Sequence, residues 1–354
     1  MSDSKADFAV VGTTPLAQLV AGLLAARHGK SVVLIGETAS RHRLPQGVDL
    51  SIAPLTRPDT WSLLRSVMPE TLKLVSRIGG RGAWSRVDPI LLAEGAQGKQ
   101  ALAHVRHMAM AFGWPVETLL PNIVGSDREG FVSRHAALLH RPTLDAGLER
   151  WLRKHKVRRF PAHQTLVIAP DGSAQLTDGD ARIAIGQTIL ADDAALISHL
   201  TARQWPSLLQ RQDSSAVLTL PTSAMAGRLL LQLDHGLMLS QQDSGGILAI
   251  GPGNVDQLSA GLMALLGQDR AARHAGQVSW PSINTADGAP AVGRLNGPGP
   301  DVLAGFGPTG LFLAPAIARW LSGVSTESES QWFAARLINR SLRNSPVAEW
   351  GGMA

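Results

Sequence analysis

The first 35 residues of this chain follow the pattern of a strand, a turn, a helix and a second strand. Residues 8–11 are apolar and run into Gly12, residues 16–28 form a mostly apolar stretch that ends at Gly29, and residues 31–35 are again mostly apolar. This spacing predicts a βαβ unit, whose two strands are parallel and whose crossover is right-handed. The helix would begin at the carboxyl end of the first strand, where its free N–H groups favour an anion. The chain is therefore expected to belong to the α/β class.

Two segments near the C-terminus have the composition of turns that face a ligand. Residues 285–294 read Thr-Ala-Asp-Gly-Ala-Pro-Ala-Val-Gly-Arg and contain an Asp-Gly turn dipeptide. Residues 305–315 read Gly-Phe-Gly-Pro-Thr-Gly-Leu-Phe-Leu-Ala-Pro and lead into a predicted helix over 314–321. Free N–H groups at such a helix start would face a negatively charged group. We expect the two ends of the chain to converge on one ligand.

Between these ends the sequence predicts helices first and then many short strands. Helices are predicted over 60–67, 69–78, 97–112, 143–156 and 255–266, and strands over 164–168, 174–176, 181–185, 188–190, 217–220, 229–233, 236–240 and 246–250. The later strands follow one another closely enough to pair antiparallel. A second sheet, inserted into the first domain, is therefore expected.

The composition excludes several kinds of chemistry. The chain has no cysteine and no tyrosine, which rules out disulfides, thiolate metal sites, cysteine nucleophiles and a tyrosine proton donor. The formal net charge of +5 is modest for 354 residues and does not indicate nucleic acid, and the basic run over 150–159 is interpreted as a solvated helix face. No metal-binding spacing of histidine and glutamate is present.

The two terminal regions also bear on location. The polar residues 1–7 lack the features of a secretory signal, so a cytoplasmic protein is expected. The apolar stretch over 302–321 approaches the length of a membrane span, but glycine and proline interrupt it. It is interpreted as a buried strand, turn and helix.

The first turn departs from the usual dinucleotide-binding fingerprint. The positions that this fingerprint fills with glycine hold Gly12, Thr14 and Ala17, and the acidic residue expected after the second strand is Glu37. Ala17 is a tolerated replacement, whereas Thr14 places a β-branched side chain where the backbone would meet a phosphate. Taken alone, this pattern would also fit an α/β protein that binds no nucleotide.

The order of these parts resembles the FAD-dependent D-amino-acid oxidase family, the group that includes glycine and sarcosine oxidases. The resemblance covers most of the chain, with clear motifs only at the two ends. It implies a Rossmann-like FAD-binding domain with an inserted, mostly antiparallel β-sheet substrate domain. It also implies that FAD is held by Gly12, Thr14, Ala17, Glu37 and Leu166 at its ADP half, and by Gly307, Pro308, Thr309, Gly310 and Leu311 at its flavin half.

The same resemblance predicts the division of the chain into domains. The FAD-binding domain would comprise residues 1–80, 130–200 and 280–330. The substrate or cap domain would comprise residues 81–129 and 201–279, and residues 331–354 would form a C-terminal tail.

Two arginines that the resemblance leads one to expect are missing. Members similar to glycine oxidase hold the substrate carboxylate with an arginine shortly before the Asp-Gly turn, and some hold it with another inside the glycine-rich turn. Here these regions read Trp-Pro-Ser-Ile-Asn and Gly-Pro-Thr. The remaining candidates for substrate binding or catalysis are Ser51, Arg57 and Arg294, with Arg134 as a further source of positive charge. Trp280 is predicted to form a pocket wall.

Three functions are compatible with this sequence. The first is an FAD-dependent oxidoreductase that takes hydride from a carbon bearing an amine and passes it to flavin N5, acting on a small amine. The second is a non-catalytic subunit of an oxidoreductase complex, with a degenerate flavin site and a protein partner, which the missing arginines favour. The third is a flavin monooxygenase acting on a large substrate, which would need no carboxylate clamp.

Overall fold

The computed structural model describes residues 4–37, 43–125, 127–267, 273–341 and 348–349. The helices are, in chain order, α1 (Pro15–His28), α2 (Pro58–Gly79), α3 (Ala96–Ala111), α4 (Pro121–Val124), α5 (Arg141–Lys154), α6 (Asp193–His199), α7 (Val255–Leu266), α8 (Ala314–Leu321) and α9 (Glu327–Ala334). The strands are β1 (Ser4–Val11), β2 (Val32–Ile35), β3 (Trp84–Val87), β4 (Ile90–Ala93), β5 (Val116–Thr118), β6 (Glu129–Ser133), β7 (Ala136–Leu139), β8 (Arg158–Phe160), β9 (Thr165–Ile168), β10 (Ala174–Asp178), β11 (Ala181–Leu190), β12 (Leu209–Thr219), β13 (Leu229–Gln232), β14 (Leu237–Gln241), β15 (Ile247–Pro252), β16 (His274–Thr285), β17 (Ala291–Arg294) and β18 (Asp301–Ala304).

The first sheet contains the N-terminal βαβ unit. Its strands lie in the order β17-β18-β11-β1-β2-β8, and β1 pairs in parallel with both β2 and β11. All four residues of β2 are buried, as is typical of a parallel sheet that is covered on both faces. The hairpin of β9 and β10 extends the sheet beside the first half of β11. This arrangement places Gly12, which follows β1, at the carboxyl edge of the sheet.

Helix α1 covers one face of this sheet and contacts α5 and α8. The indole ring of Trp151 lies against α1 at Gly22, where a Cβ atom would come within 2.0 Å of the ring. Gly22 is therefore required for the close approach of α1 and α5. Because α8 follows the glycine-rich segment near the C-terminus, its packing on α1 brings the two ends of the chain together, as expected.

The second sheet is mixed but mostly antiparallel. Its order is β16-β12-β15-β14-β13-β4-β6-β5, and β13 with β4 is its parallel pair among the described strands. Its longest pairing joins β12 to β16, from Leu209 opposite Thr285 to Thr219 opposite His274. Helix α7, which begins with a reciprocal capping box between Asn254 and Gln257, packs against β12 and β15. The predicted fold class, a Rossmann-like α/β unit with a second, mostly antiparallel sheet, is confirmed.

Most predicted elements are present with shifted ends, but the sequence pattern does not predict β3 to β8, α4, α6 or α9, and three further regions differ. Pro69 lies inside one continuous helix, α2, instead of separating two helices. The two strands predicted over 181–185 and 188–190 are one, β11. The pattern does not predict β16, since Pro281 interrupts it; the structure tolerates this proline because β16 is an edge strand and need not donate on both sides.

The chain beyond α9 packs on the rest of the molecule where it is described. The N–H of Ile338 donates to the carbonyl of Val292 in β17 at 2.7 Å, and Ala348 and Glu349 are buried. The predicted boundaries between an FAD-binding domain, a cap domain and a tail remain a prediction. Within the described ranges, no helix combines the length and the apolar character needed to cross a bilayer.

Candidate functional site

A cavity of about 1050 Å³ lies between the second sheet and the turn that follows β18. The turn contributes residues 305–308 to its lining, and the sheet contributes side chains of β12 and β16. Trp280 of β16 lines the cavity, which confirms its predicted role as a pocket wall. This volume matches that of small-molecule and cofactor sites.

The glycine-rich turn forms one wall of this cavity. Gly305 and Gly307 have φ of +68° and +52°, which favour glycine, and a 3₁₀ helix over Gly307–Leu313 leads directly into α8. The carbonyl of Pro308 accepts a hydrogen bond from the N–H of Leu50 at 2.9 Å, so the turn is fixed against the segment that follows β2. The hydroxyl Oγ1 of Thr309 is buried without a hydrogen-bond partner in the described structure. The turn thus retains an unsatisfied polar atom behind the cavity wall.

The candidate residues of this turn differ in their relation to the cavity. Gly307 and Pro308 line it, whereas Thr309, Gly310 and Leu311 lie behind the wall and are buried. At Gly310 a Cβ atom would come within 2.5 Å of Cβ of Phe306 and 3.5 Å of Leu16 in α1. The N-terminal helix and the C-terminal turn are therefore in direct contact, as expected for two ends that converge on one site.

The start of α1 offers few free N–H groups. Thr14 is its N-cap, and the hydroxyl of Thr14 accepts a hydrogen bond from the N–H of Ala17 at 3.3 Å. Pro15, at the first helical position, has no N–H to donate. Two of the donors that a helix start would offer to a diphosphate are therefore absent or already satisfied. The side chain at the second fingerprint position acts as a cap, which explains why threonine can stand there.

Asp192 occupies the space in front of this turn. Its Oδ2 accepts hydrogen bonds from the N–H of Thr13 at 2.6 Å and from the hydroxyl of Thr13 at 3.3 Å. Its Oδ1 accepts one from the N–H of Ala195 at 2.9 Å and so caps α6. A carboxylate thus takes the hydrogen bonds that the first turn would otherwise offer to an anionic ligand. Sequence reasoning missed this residue, although the Asp-Asp pair before an apolar stretch is a helix-start signal.

The acidic neighbour, Asp193, faces the cavity. Its carboxylate accepts a hydrogen bond from the N–H of Ile283 at 3.0 Å, at the free edge of β16. Burial raises the pKa of Asp193 to about 6; the Ile283 hydrogen bond opposes this rise in pKa, and the charge of Asp192 adds to it. Asp193 is an ionisable group in the cavity lining that the sequence analysis did not single out.

Of the two remaining predicted ADP contacts, Glu37 lies beside the turn, because the preceding Gly36 packs against Gly12, whereas Leu166 lies apart from it. Glu37 is exposed and forms an ion pair with Arg43 at 3.1 Å. Leu166 lies on β9, opposite Leu176 of β10. Leu176 is opposite Ile183 of β11, and Ile183 is opposite Ser4 at the amino end of β1. Gly12 lies at the other end of that strand. The strand beside β2 is instead β8, and the carbonyl of Phe160 at its end accepts a hydrogen bond from the N–H of Gly36 at 3.0 Å.

The predicted catalytic residues do not line the cavity. Ser51 is fully buried, and its hydroxyl accepts a hydrogen bond from the N–H of Ala137 at 2.7 Å. Arg57 is the N-cap residue of α2. Arg294 is half exposed and lies 4.0 Å from the carboxylate of Asp301.

The further cation proposed from the sequence, Arg134, is also engaged elsewhere. It forms ion pairs with Asp88 and Glu117 beside the β5–β6 pair. The hydrogen bonds that Arg134 donates to the carboxylates of Glu117 and Asp88 raise the pKa of Arg134 further above its usual value. It is not a source of charge for the cavity.

The fold is shared with solved structures of similar length, although their sequence identity to this chain is low. A glycine oxidase from Geobacillus kaustophilus superposes with a TM-score of 0.71 at 17% identity, covering 97% of this chain and 99% of that chain. An L-proline dehydrogenase from P. horikoshii has a TM-score of 0.69 at 17% identity, covering 94% and 97%. An iminodiacetate oxidase from Chelativorans sp. BNC1 has a TM-score of 0.64 at 19% identity, covering 90% and 94%. No protein-family model matches the chain, and no curated protein sequence matches it. The resemblance deduced from the sequence is therefore confirmed at the level of the fold.

The two halves of the site fit an FAD molecule unequally. The ring end fits, because the cavity is of suitable size and Gly305, Gly307 and Pro308 let the backbone approach a flat group. The diphosphate end does not fit the described arrangement. Asp192 occupies the Thr13 N–H, and its negative charge would oppose a diphosphate at that position.

Proposed function

We propose that this chain is a flavin-dependent oxidoreductase that acts on the carbon–nitrogen bond of a small amine. The observation that carries this proposal is the cavity of about 1050 Å³ bounded by the glycine-rich turn, in a fold shared with structures named as an oxidase or dehydrogenase of amino or imino compounds. A flavin would supply the oxidation itself. The protein would hold the amine against the turn, exclude water and orient the substrate through the side chains of β12 and β16.

The proposal does not require a base from this chain. Ser51, Arg57 and Arg294 do not line the cavity, so we assign them no chemical role in it. Asp193 is the carboxylate beside the substrate-facing strands and would hold the amine through a charge-assisted hydrogen bond. We place Gly305, Gly307 and Pro308 against the ring and leave the ADP contacts as predicted from the resemblance.

The absorption spectrum of the purified protein tests this function. Bound flavin gives visible absorption bands, and anaerobic addition of a reducing amine should bleach them without NAD(P)H. Protein isolated without flavin should be incubated with FAD and with riboflavin before the amine is added. A protein that takes up neither compound would contradict the proposal.

Two observations favour a second function, that of a non-catalytic subunit in an oxidoreductase complex. Asp192 closes the diphosphate end of the site, and the arginines expected for a substrate carboxylate are missing. Such a subunit would stay colourless after incubation with flavins and would elute with a partner when purified from its own source.

A further inference from the structure

We infer that the cavity selects an amine that carries a carboxamide or peptide group and no carboxylate. The inference rests on the proposed function for calling this ligand a substrate. It concerns what the cavity wall can bind, and so it can also be tested by binding alone.

One face of the β12–β16 pair presents a row of neutral polar side chains to the cavity. Alternate residues of β12 stand opposite alternate residues of β16, and both sets line the cavity. We call this row the polar ladder; its rungs are Gln210 with Asn284, Gln212 with Ser282, and Ser214 with Trp280. Since side chains alternate between the two faces of a strand, all six belong to the same face.

The hydroxyl groups of the ladder are already paired, whereas its amides are not. The hydroxyls of Ser214 and Ser282 are 2.7 Å apart and bond to each other. Across the described residues, no protein group hydrogen-bonds to the side-chain amides of Gln210, Gln212 or Asn284. Each of these amides both donates and accepts, which is what an amide group of a ligand requires. Gln210 and Asn284 are exposed and Gln212 is half-buried, so all three amides are accessible to a neutral amide of a ligand.

Positive charge is absent from this wall. No lysine or arginine within the described ranges lines the cavity. Arg211 lies between the two glutamines of β12 but points to the opposite face, where its guanidinium stacks 4.1 Å from the ring centroid of Trp205. Arg340, near the Asp-Gly turn, donates to both carboxylate oxygens of Asp287, at 2.8 and 2.7 Å. A ligand carboxylate would therefore find no lysine or arginine to pair with among the described lining residues, and the histidine of the lining, His235, is exposed.

The carboxylates of the wall favour the same ligand. Asp193 uses one hydrogen bond on Ile283 and has a further acceptor oxygen beside the ladder. Asp234 also lines the cavity, but both of its oxygens accept hydrogen bonds from the N–H groups of Glu94 and Gly95. Asp193 is therefore the better acceptor for the N–H groups of the amine, and the ladder is the partner for the neutral amide group beside it. An ionised ligand carboxylate would be repelled by Asp193 and left unpaired.

Binding of matched ligand pairs tests this inference. The probes are glycinamide and glycylglycinamide against glycine and glycylglycine, which differ only in the terminal group. We expect isothermal titration at pH 7.5 to show roughly tenfold or tighter binding of each amide over its acid, since the carboxylate of the acid would meet the like charge of Asp193 and no lysine or arginine among the lining residues. Equal or tighter binding of the acids overturns the inference, and so does failure of the amides to bind.

A charge placed in the ladder should reverse the preference. Gln212→Arg puts a guanidinium in the wall and should tighten glycylglycine binding by roughly tenfold while glycylglycinamide gains nothing. Gln175→Arg on the exposed side of β10 makes the same substitution away from the cavity and should change neither ligand. Circular dichroism checks that each variant is folded, and Gln210→Arg is the substitute if Gln212→Arg is not. An unchanged preference in folded Gln212→Arg contradicts the assignment of the ladder.

The outcomes separate this inference from the proposed function. Binding is measured without turnover, and flavin content is measured separately by absorbance. Amide preference in a protein that takes up no flavin would end the oxidoreductase proposal and keep the assignment of the ladder. Flavin reduction by amines together with tighter binding of acids would support the oxidoreductase proposal and contradict the assignment of the ladder.

Discussion

Arg336 and Glu349 form an ion pair inside the protein, where their side chains are only 1% and 2% exposed. The Nε of Arg336 donates to Oε1 of Glu349 at 2.8 Å, and the hydroxyl of Thr60 donates to the same oxygen at 2.6 Å. The neighbouring Ala348 lines the cavity and would contact any side chain placed at Gly288. The end of the described chain is therefore a fixed part of the cavity wall.

Removal of the Glu349 carboxylate should destabilise the protein strongly. In Glu349→Ala, Arg336 loses its fully buried ion pair and keeps the one with the half-exposed Asp59, and breaking a buried ion pair by removing one partner costs about 3–5 kcal/mol. Glu349→Gln keeps a hydrogen-bond acceptor and should lose less. Urea unfolding of the three proteins measures the difference. Glu327→Ala, on the exposed side of α9, is the control and should change little. Equal stabilities of Glu349→Ala and the control would contradict this account.

Replacement of Asp192 should change the affinity for FAD but not for riboflavin. Asp192→Gly frees the Thr13 N–H and removes a negative charge from the place of the diphosphate, and glycine at an N-cap costs only a few tenths of a kcal/mol. We expect FAD to bind roughly tenfold tighter or more, measured by flavin fluorescence titration. Riboflavin lacks the diphosphate and is the control ligand. Asp192→Asn removes the charge but still occupies the N–H, and should fall between the two proteins. Unaltered FAD affinity in Asp192→Gly would show that the carboxylate does not obstruct this site.

The sequence predicts the fold of this protein better than it predicts the site. Helices α7 and α8 begin and end where the apolar period indicates, and α7 also begins at a capping residue, Asn254, since those signals are local. The site depends on contacts between distant residues, which no local pattern contains. Asp192 lies 179 positions from the Thr13 N–H that it occupies, and Ser51 is held by Ala137. The polar ladder could not be predicted from the sequence either, because its strand β16 contains a proline, which is tolerated only at a sheet edge.

A methyl group at Gly310 should deform the glycine-rich turn. The added Cβ would lie 2.5 Å from Cβ of Phe306, and neither atom can move away by a rotamer change. Phe306 lines the cavity, so its displacement should alter the wall against which we place the flavin ring. We expect Gly310→Ala to lose about 1–3 kcal/mol of stability and to retain flavin roughly tenfold less tightly.

Gly47→Ala is the matched control for this variant. A Cβ atom added at Gly47 would have no other heavy atom within 4 Å, so the same substitution adds a methyl group to open space. Thermal unfolding and flavin content after gel filtration are measured for both variants. Flavin retention that is equal in Gly310→Ala and Gly47→Ala would contradict the placement of the ring against this turn.

The stability contributed by Asp193 should fall as the pH rises from about 4 to 6. Burial raises the pKa of Asp193 to about 6 in the folded protein, from the ordinary aspartate pKa of 3.8. Within this window the folded protein keeps a proton that the unfolded chain has released, so the free energy of unfolding decreases with pH and the loss is complete above pH 6. The total loss is about 2–3 kcal/mol, from 1.36 kcal/mol for each pKa unit.

The variant Asp193→Asn tests this prediction, because it keeps an acceptor for the Ile283 N–H and has no carboxyl group to ionise. Asp301, whose pKa burial also raises to about 6, is present in both proteins and cancels in their difference. Thermal unfolding of both proteins between pH 4 and 7.5 should therefore show the wild type losing stability relative to Asp193→Asn as pH rises to 6, and a constant difference above it. A difference that does not vary between pH 4 and 6 would show that Asp193 is solvated in the cavity and titrates as an ordinary carboxylate.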